Sequence, residues 1–401
     1  MTVRVNKDSF NLREKLSELE RPIGLKGSEL MGAETAQEAR DFVSAGRKNM
    51  IINGACTINQ RFGSGTYNLA SSGIYFPVDR FKSWAGGTGA FTIQRSDNAP
   101  PGFKNSMMFT VSTADTSIAS TEYYTVQQRI EGYNVAHLGW GTSDAKPVTL
   151  SFWVKGDIPG KYGISFWPSG QNYNYVTHYN INTADTWEYK TITIPGATGG
   201  TWLTDTGTGF GIWWDFGVGT TYSTATTETW GPSAKFAPSD SLKMIKTNGA
   251  KFRMTGVQLE VGKNATDFEH RSYGEELALC QRYYETTYPT GYGEGHDFNE
   301  VYPFANSHPV AFNFIASDDT ISAQSYTFQV SKRANPTVRL FSAKNGTLNQ
   351  AWTYKGTGGN NSNHGIAVVN TSPTHVLIST SLGATNQANE SYFHIVAESE
   401  L

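Results

Sequence analysis

Apolar and polar side chains alternate along many short segments of this chain, and this period of two constrains its fold most strongly. In the segment TLSFWVK, Leu150, Phe152 and Val154 point to one face and the residues between them point to the other. The segment KYGISFW, residues 161–167, repeats the alternation. A period of two is the spacing of β-strands, in which successive side chains lie on opposite faces. The pattern therefore predicts a chain that is mainly β.

The arrangement of these segments predicts two β-domains. In KFRMTGVQLEV, residues 251–261, the alternation slips by one residue at Thr255-Gly256, which predicts a β-bulge. Turn signals recur about every dozen residues with no interleaved helices, which favours a β-sandwich of jelly-roll type over residues 49–288. A second all-β segment, residues 289–401, has the size of a small C-terminal β-sandwich.

One helix interrupts this β-rich sequence, in the segment RSYGEELALCQRYYE at residues 271–285. Ser272 and Glu275 have the spacing of a capping box, in which side chains satisfy the free N–H groups of a helix start. Cys280 falls on the apolar stripe, so we interpret it as a small buried hydrophobe. We predict that this helix closes the jelly roll and leads the chain into the next sandwich.

The first residues, 1–48, have a different composition that predicts two short helices. Leu12, Leu16 and Leu19 continue an alternating spacing of three and four, the a/d spacing of a coiled-coil seam. A second helix is predicted in ETAQEARDFVSAG, residues 34–46. Helices this short and this poor in apolar residues do not form a stable core alone. We therefore expect residues 1–48 to anchor or oligomerise the chain against copies of itself or another protein.

Composition excludes several classes of function. A formal net charge of -3 gives no basic footprint for nucleic acid. Two cysteines exclude a disulfide framework and a cysteine-based zinc site. No run approaches the ~20 apolar residues of a membrane span, and the N-terminus has no signal-peptide core. We expect neither membrane insertion nor secretion through a cleaved leader.

No set of residues in the sequence has the pattern of a catalytic site. Asp79 and Arg80 invite a catalytic interpretation, but the neighbouring Phe81 favours a buried pair that fixes the end of a strand. Asp318 and Asp319 are adjacent, so in a strand they point to opposite faces and do not flank one bond. The eight histidines are scattered and form no metal-binding motif. The sequence predicts a protein that is not an enzyme.

Aromatic residues in polar, glycine-rich segments are the candidate binding residues. Aromatic rings stack on the C–H faces of sugars while nearby amide and carboxylate groups meet the hydroxyls. Such segments occur in both β-domains, so the binding site is open between the two. The alternative is that about half of these rings are inward-facing strand residues. The candidate glycan-binding residues are Trp167, Tyr173, Tyr175, Trp202, Trp352, Tyr354 and Asn361.

Three longer segments resemble a known family. They are FPVDRFKSW, QRIEGYNVAHLGWG and VQLEVGKNATDFEHRSYGEELALCQRYYE, and they occur in that order over more than half of the chain. Together they resemble the carbohydrate-binding-module-like jelly roll of bacteriophage tail-fibre and other virion fibre proteins. The segment MGAETAQEAR resembles the helices that precede tip modules in such fibres. PTVRLFS and the final AESEL resemble the ends of phage fibres.

The resemblance implies a homotrimeric virion fibre protein, made in the host cytoplasm, that binds a polysaccharide on the host surface. Residues 1–48 would then contact other virion proteins. Modules of this kind often carry a structural calcium ion, although the sequence shows no ligand pattern for one and no other cofactor is expected. Two alternatives remain open, a purely structural head, neck or tail component or adaptor, and a glycan depolymerase.

Overall fold

A computed structural model describes residues 48–62, 65–69, 72–298, 309–314, 322–354, 362–380 and 389–401. The chain divides into two compact units, Met1–Lys48 and Asn49–Leu401. The predicted N-terminal helices, with Leu12, Leu16 and Leu19, lie outside the described residues. No helix in the described part of the chain is both long and apolar enough to span a membrane.

The first part of the second unit is a sandwich of two antiparallel sheets, here called the jelly-roll sandwich. One sheet has six strands in the order β1-β4-β5-β15-β7-β10, and the other has seven in the order β13-β9-β8-β11-β6-β3-β2. A short parallel pair, β12 and β14, lies beside them. The strands are β1 (Tyr67–Leu69), β2 (Ser72–Val78), β3 (Phe81–Gly86), β4 (Ala90–Ser96), β5 (Ser106–Thr113), β6 (Tyr123–Glu131), β7 (Val148–Gly156), β8 (Gly160–Trp167), β9 (Asn174–Ile181), β10 (Glu188–Ile194), β11 (Thr208–Val218), β12 (Ser223–Thr224), β13 (Trp230–Gly231), β14 (Ala237–Pro238) and β15 (Lys251–Val261).

The predicted alternation is confirmed in the core between the two sheets. Leu150, Phe152 and Val154 on β7 are fully buried. The predicted bulge is confirmed as well, because the pairing of β15 with β7 shifts register between Thr255 and Gln258. The extra residue lets the apolar face of β15 continue inward on both sides of the bulge.

Helices are few and short in the described chain. α1 (Gly132–Val135) runs into a 3₁₀ turn at Ala136–Leu138, and a second 3₁₀ turn covers Met244–Lys246. α2 (Tyr273–Gln281) is the helix predicted from the sequence.

The predicted cap and the buried cysteine of α2 are both confirmed. The Ser272 hydroxyl accepts a hydrogen bond from the Glu275 amide at 3.3 Å. Cys280 is fully buried in a cluster with Ile52 and Ile58, from the segment that precedes β1. The helix therefore closes the sandwich by packing on its entering chain.

The rest of the chain forms one continuous eight-stranded sheet, here called the C-terminal sheet. Its central strand β23 pairs with β16, β17, β19 and β20. Its apolar core includes Leu340, Ile378 and Phe393, which lie on three different strands. The strands are β16 (Tyr284–Thr286), β17 (Val310–Phe314), β18 (Ser322–Thr327), β19 (Thr337–Ser342), β20 (Gln350–Tyr354), β21 (Ser362–Thr371), β22 (His375–Thr380) and β23 (Asn389–Glu398). This sheet takes in β16, which falls within residues 49–288, the range predicted for the jelly roll.

A buried polar junction joins the jelly-roll sandwich to the C-terminal sheet. Asp79 and Arg80 form the turn between β2 and β3, and both are buried. The guanidinium of Arg80 lies 3.5 Å from the centre of the Tyr283 ring and forms an ion pair with Glu400. The pair therefore fixes a strand end, as the structural interpretation of the sequence predicts.

Residues 49–401 should fold without the N-terminal segment. The described apolar clusters draw on residues from Met50 onwards, so deleting 1–48 removes none of their side chains. We expect a soluble, strand-rich protein with a cooperative melt, measured by circular dichroism. Insoluble or strand-poor material would show that the N-terminal segment is needed for folding.

Candidate functional site

Five aromatic rings gather at one edge of the jelly-roll sandwich, and we call them the aromatic cluster. Trp140 lies in the loop after the first 3₁₀ turn, and Tyr173 precedes β9. Trp202 lies in the loop between β10 and β11, Phe210 is on β11, and Trp230 begins β13. The seven-stranded sheet brings these separate segments together because β9 and β11 both pair with β8.

The rings of the aromatic cluster contact one another mainly edge to face. Trp140 lies 4.6 Å from Trp202 and 5.4 Å from Trp230, with ring planes at 82° and 74°. Trp202 lies 5.5 Å from Trp230 at 89°. Aromatic pairs favour this geometry because the positive ring edge meets the negative ring face. Each ring thereby fixes the orientation of its neighbours.

Backbone carbonyls fix the three indoles further. The indole N–H of Trp140 donates to the Lys146 carbonyl at 2.7 Å. That of Trp202 donates to the Gly199 carbonyl at 2.9 Å. That of Trp230 donates to Pro195 at 2.7 Å. With their N–H groups satisfied by protein, the half-buried Trp202 and Trp230 offer only apolar surface to a ligand, whereas Trp140 is 9% exposed and mainly supports them.

Tyr173 completes the cluster by stacking on Trp230, with ring centres 5.9 Å apart and planes at 4°. Its side chain lies against the backbone of Gly199 and Gly200, where an added Cβ would come within 2.7 Å of the Tyr173 hydroxyl and within 2.8 Å of its ring. Gly200 also has φ of +83°, which a side chain strongly disfavours. Both glycines are therefore needed for the ring to lie there.

A cavity of about 190 Å³ opens beside these rings. Trp140, Trp202 and Phe210 form its aromatic wall, and Thr142 and Thr204 add hydroxyl groups. The Thr142 hydroxyl donates to the Gly139 carbonyl at 2.6 Å and accepts from the Asp144 amide at 3.2 Å, which leaves one lone pair for a donor on a ligand. The cavity is thus an apolar surface with a few polar groups, the usual composition of a small-molecule site.

The structure brings three predicted residues together at this edge. Trp202 and Tyr173 are half-buried members of the aromatic cluster. Tyr175 packs 5.4 Å from Trp230 but is buried, so its ring faces the core and not solvent. Burial and the nearby Glu228 raise the pKa of Tyr175, which keeps its phenol protonated.

Sequence reasoning missed Trp140 and Trp230. Each is followed by a glycine, in HLGWG and TETWGP, and a tryptophan in a glycine-rich loop is the signal that selected Trp202. The spacing between them gave no sign that they meet, because 90 residues and six strands separate Trp140 from Trp230.

The expected solvent exposure of Trp167 is wrong. Trp167 is the last residue of β8 and is fully buried, on the face of the seven-stranded sheet turned away from the core. It packs over Gly211, with Trp213 and Phe236 in the same apolar cluster. The segment that contains Phe236 covers this outer face, so a residue that alternates away from the core is still buried.

The candidates in the C-terminal sheet lie apart from the aromatic cluster. Trp352 is buried with Ala343 and Tyr392, and the Lys344 ammonium lies 4.1 Å from the centre of its ring. Its expected exposure is therefore also wrong. Tyr354 ends β20, but its side chain lies outside the described residues, as does all of Asn361. Binding by these residues stays a prediction.

No cluster of three or more His, Cys, Asp or Glu side chains in the described part of the chain is close enough to hold a metal ion. The predicted possibility of a structural calcium ion therefore gains no ligand set from the described residues.

No protein-family model matches this chain, and no curated protein does. Solved structures with some similarity include an enzymatically active domain of tailspike protein 4 from bacteriophage CBA120, with 12% identity and a TM-score of 0.28. That match covers 53% of this chain and only 21% of the tailspike chain. With a TM-score this low, the similarity assigns no function to this chain.

Carbohydrate-binding modules are also among the similar structures. The family 11 module of a Clostridium thermocellum cellulosomal cellulase is 12% identical over 51% of this chain and 99% of its own, with a TM-score of 0.26. A xylan-binding domain from Paenibacillus barcinonensis is 9% identical over 51% of this chain and 99% of its own, with a TM-score of 0.24. These scores are equally low.

Proposed function

We propose that this chain is a bacteriophage virion fibre protein that binds a host surface glycan through the aromatic cluster, without cleaving it. The observation that carries the proposal is the cavity of about 190 Å³ with Trp140 and Trp202 in its wall. The resemblance of the sequence to phage fibre modules supports the virion location. It also supports a homotrimer attached to other virion proteins through residues 1–48.

The size and lining of the cavity suit one sugar ring. Pockets for drug-sized ligands usually measure about 300–1,000 Å³, so this cavity takes a smaller group. The C–H face of a pyranose is apolar and stacks on an indole, while its hydroxyls meet groups such as those of Thr142 and Thr204. The fixed rings lose little conformational entropy on binding, because packing and hydrogen bonds already orient them.

The affinity of one such site should be weak. A shallow contact of one or two rings corresponds to millimolar to micromolar dissociation constants, about -4 to -8 kcal/mol. Three copies on one fibre would raise the avidity on the order of 100-fold, provided that the receptors can be spanned.

Replacing Trp202 by alanine should weaken glycan binding by roughly tenfold, because it removes one stacking face of the cavity. The purified chain would be screened on a panel of bacterial surface polysaccharides, and the variant would be measured on each polysaccharide that binds. Tyr189→Ala serves as the matched control, since it removes an exposed ring on β10 outside the cluster. Thermal melts of both variants would confirm that they fold.

Two outcomes would count against this proposal. Equal binding by Trp202→Ala and the wild type would place the site elsewhere. Release of reducing ends from a bound polysaccharide would show an enzyme.

A purely structural virion component is the second candidate, because Trp167 and Trp352 are buried within the chain itself. Absence of binding across the whole panel would favour it.

A further inference from the structure

A group of cationic side chains lies on the outer face of the seven-stranded sheet. Lys82 on β3 is opposite Gln127 on β6, and Arg129 follows two residues later on the same face. The Lys82 ammonium lies 5.2 Å from the centre of the Trp84 ring. The Arg129 guanidinium lies 5.2 Å from the centre of the Trp167 ring. We call these five residues the cationic face.

Neither cation has a counter-charge of its own. Among the described residues, no carboxylate oxygen lies within 4.0 Å of Lys82 or Arg129. Arg129 instead donates to the Gln127 side-chain oxygen at 3.1 and 3.2 Å. Burial and the charge of Arg129 lower the pKa of Lys82 to about 8. The chain as a whole is acidic, so this local excess of positive charge is a property of the site.

The carboxylates of Glu398 and Glu400, which act on Lys82, already form ion pairs with arginines. Glu398 pairs with Arg61 through one oxygen and with Arg339 through the other. Glu400 pairs with Arg61 through one oxygen and with Arg80 through the other. Both oxygens of each glutamate are thus held by arginines, and the two carboxylates act on Lys82 only at longer range, where they favour its charged form less than burial and Arg129 disfavour it.

The same face also has an excess of hydrogen-bond donors. The Nε2 group of Gln127 and the indole N–H of Trp167 are buried without an acceptor among the described protein atoms. The Nε–H of Arg80, next to Arg129, is also buried without an acceptor among the described protein atoms. A buried donor without an acceptor costs about 1–3 kcal/mol. Gln127 and Trp167 are fully buried, so their donors lie beneath Lys82 and Arg129 and add positive edges to the site without contacting solvent.

Lys82 is the member of the cationic face that lines a cleft of about 430 Å³ between the jelly-roll sandwich and the C-terminal sheet, a cleft also lined by Glu398 and Glu400. Lys82 forms part of its wall on the sandwich side, and Arg333, Asn335 and Thr337 form part of the opposite wall. The half-buried ammonium of Lys82 is therefore accessible to a small solute.

We propose that the cationic face binds a small oxyanion, the carboxylate or phosphate group of a ligand, through Lys82 and Arg129. Charge-assisted hydrogen bonds to such a group are about twice as strong as neutral ones, and the planar guanidinium matches its geometry. An acidic sugar would supply the carboxylate and a phosphorylated glycan the phosphate. The site is separate from the aromatic cluster and does not depend on it.

Calorimetric titration of the full chain tests this proposal, with sodium glucuronate and sodium phosphate as separate probes and glucose as the uncharged comparison. We expect a roughly millimolar dissociation constant for at least one anion. The double variant Lys82→Gln, Arg129→Gln should weaken that binding at least tenfold, since both charged donors are lost. Added salt should weaken it several-fold in the wild type. Binding of glucuronate alone would identify a carboxylate ligand, and binding of phosphate alone a phosphorylated one.

The matched control is Lys155→Gln, Lys190→Gln, which removes the same charge from the six-stranded sheet, where Asp185 and Glu188 pair with these lysines. It should bind the anion as the wild type does. Trp202→Ala should do so too, so that failure of the glycan site and failure of the anion site are distinguishable.

The anion proposal is overturned by any of three results. These are no binding of either anion at about 50 mM, equal loss in the matched control, or unchanged binding by the Lys82, Arg129 variant.

Discussion

Replacing Arg61 by alanine should lower the free energy of unfolding by about 3–5 kcal/mol, the usual cost of breaking a buried ion pair by removing one partner. Arg61 is 6% exposed, and its guanidinium lies between the rings of Phe76 and Tyr284, at 4.0 and 3.7 Å from their centres. It lies 3.7 Å from Asp79 and 3.2 Å from Glu400. Burial alone would lower the pKa of Arg61, but these carboxylates outweigh it and raise the pKa.

The loss falls mainly on Asp79. Glu400 keeps Arg80 as a partner after the change, whereas Asp79 is left buried with hydrogen bonds from Gln60 alone. Urea unfolding followed by circular dichroism would measure the difference. Arg61→Lys keeps the charge and should recover part of the loss.

The matched control for Arg61→Ala is a surface pair. Lys161 bonds the exposed Asp240 at 2.8 Å, and Lys161→Ala should leave the melting temperature nearly unchanged, because exposed pairs contribute little. A loss below about 1 kcal/mol for Arg61→Ala would mean that the junction tolerates an unpaired Asp79.

Local patterns in the sequence predicted the parts of the fold that depend on interactions between residues close together in the chain. Alternation predicted the core face of β7, and the slip at Thr255-Gly256 predicted the bulge of β15. The spacing of Ser272 and Glu275 predicted the start of α2. In each of these, a residue and its immediate neighbours decide the conformation, so a single sequence carries the information.

The outer face of the seven-stranded sheet could not be predicted in the same way. Alternation separates the two faces of a strand, but it does not say whether a third layer covers the second face. Trp167 and Trp213 lie on that second face and are buried because Phe236 and its neighbours fold over it. The path of the chain after β11 therefore determines whether Trp167 and Trp213 are buried or exposed.

The polar junction could not be predicted from the sequence, because the residues that pair in it are far apart along the chain. Arg61 and Glu400 are separated by 339 residues, and no periodicity links them. The aromatic cluster is an intermediate example. Composition selected Trp202 and Tyr173, but the strand order that brings Trp140 and Trp230 to them is a property of the whole sandwich.

His394 should make the protein less stable in acid, by about 2.5 kcal/mol between pH 7 and pH 4.5. The side chain is fully buried on β23 and stacks on Tyr288, with ring centres 4.1 Å apart. Its Nδ1 lies 3.3 Å from the Thr287 hydroxyl, and its Nε2 has no partner among the described protein atoms. Burial lowers the pKa of His394 from 6.5 to about 4.

The sign of the effect follows from which state binds the proton. Above pH 6.5 the imidazole is neutral in both the folded and the unfolded chain, and His394 adds no pH dependence. Between pH 6.5 and pH 4 the His394 imidazole binds a proton in the unfolded chain but not in the folded chain, so the free energy of unfolding falls as the pH falls. Below pH 4 both states are protonated and the loss is complete.

His394→Phe keeps an aromatic ring on Tyr288 but does not titrate, so its stability should fall less over this interval than that of the wild type. The measurement is urea unfolding of both proteins at pH 7 and pH 4.5, compared as the difference between the two pH values. That difference removes the constant cost of losing the Thr287 hydrogen bond. His375→Phe, at an exposed position at the start of β22, should keep the acid sensitivity of the wild type. If His394→Phe loses as much stability in acid as the wild type, another group is responsible for it.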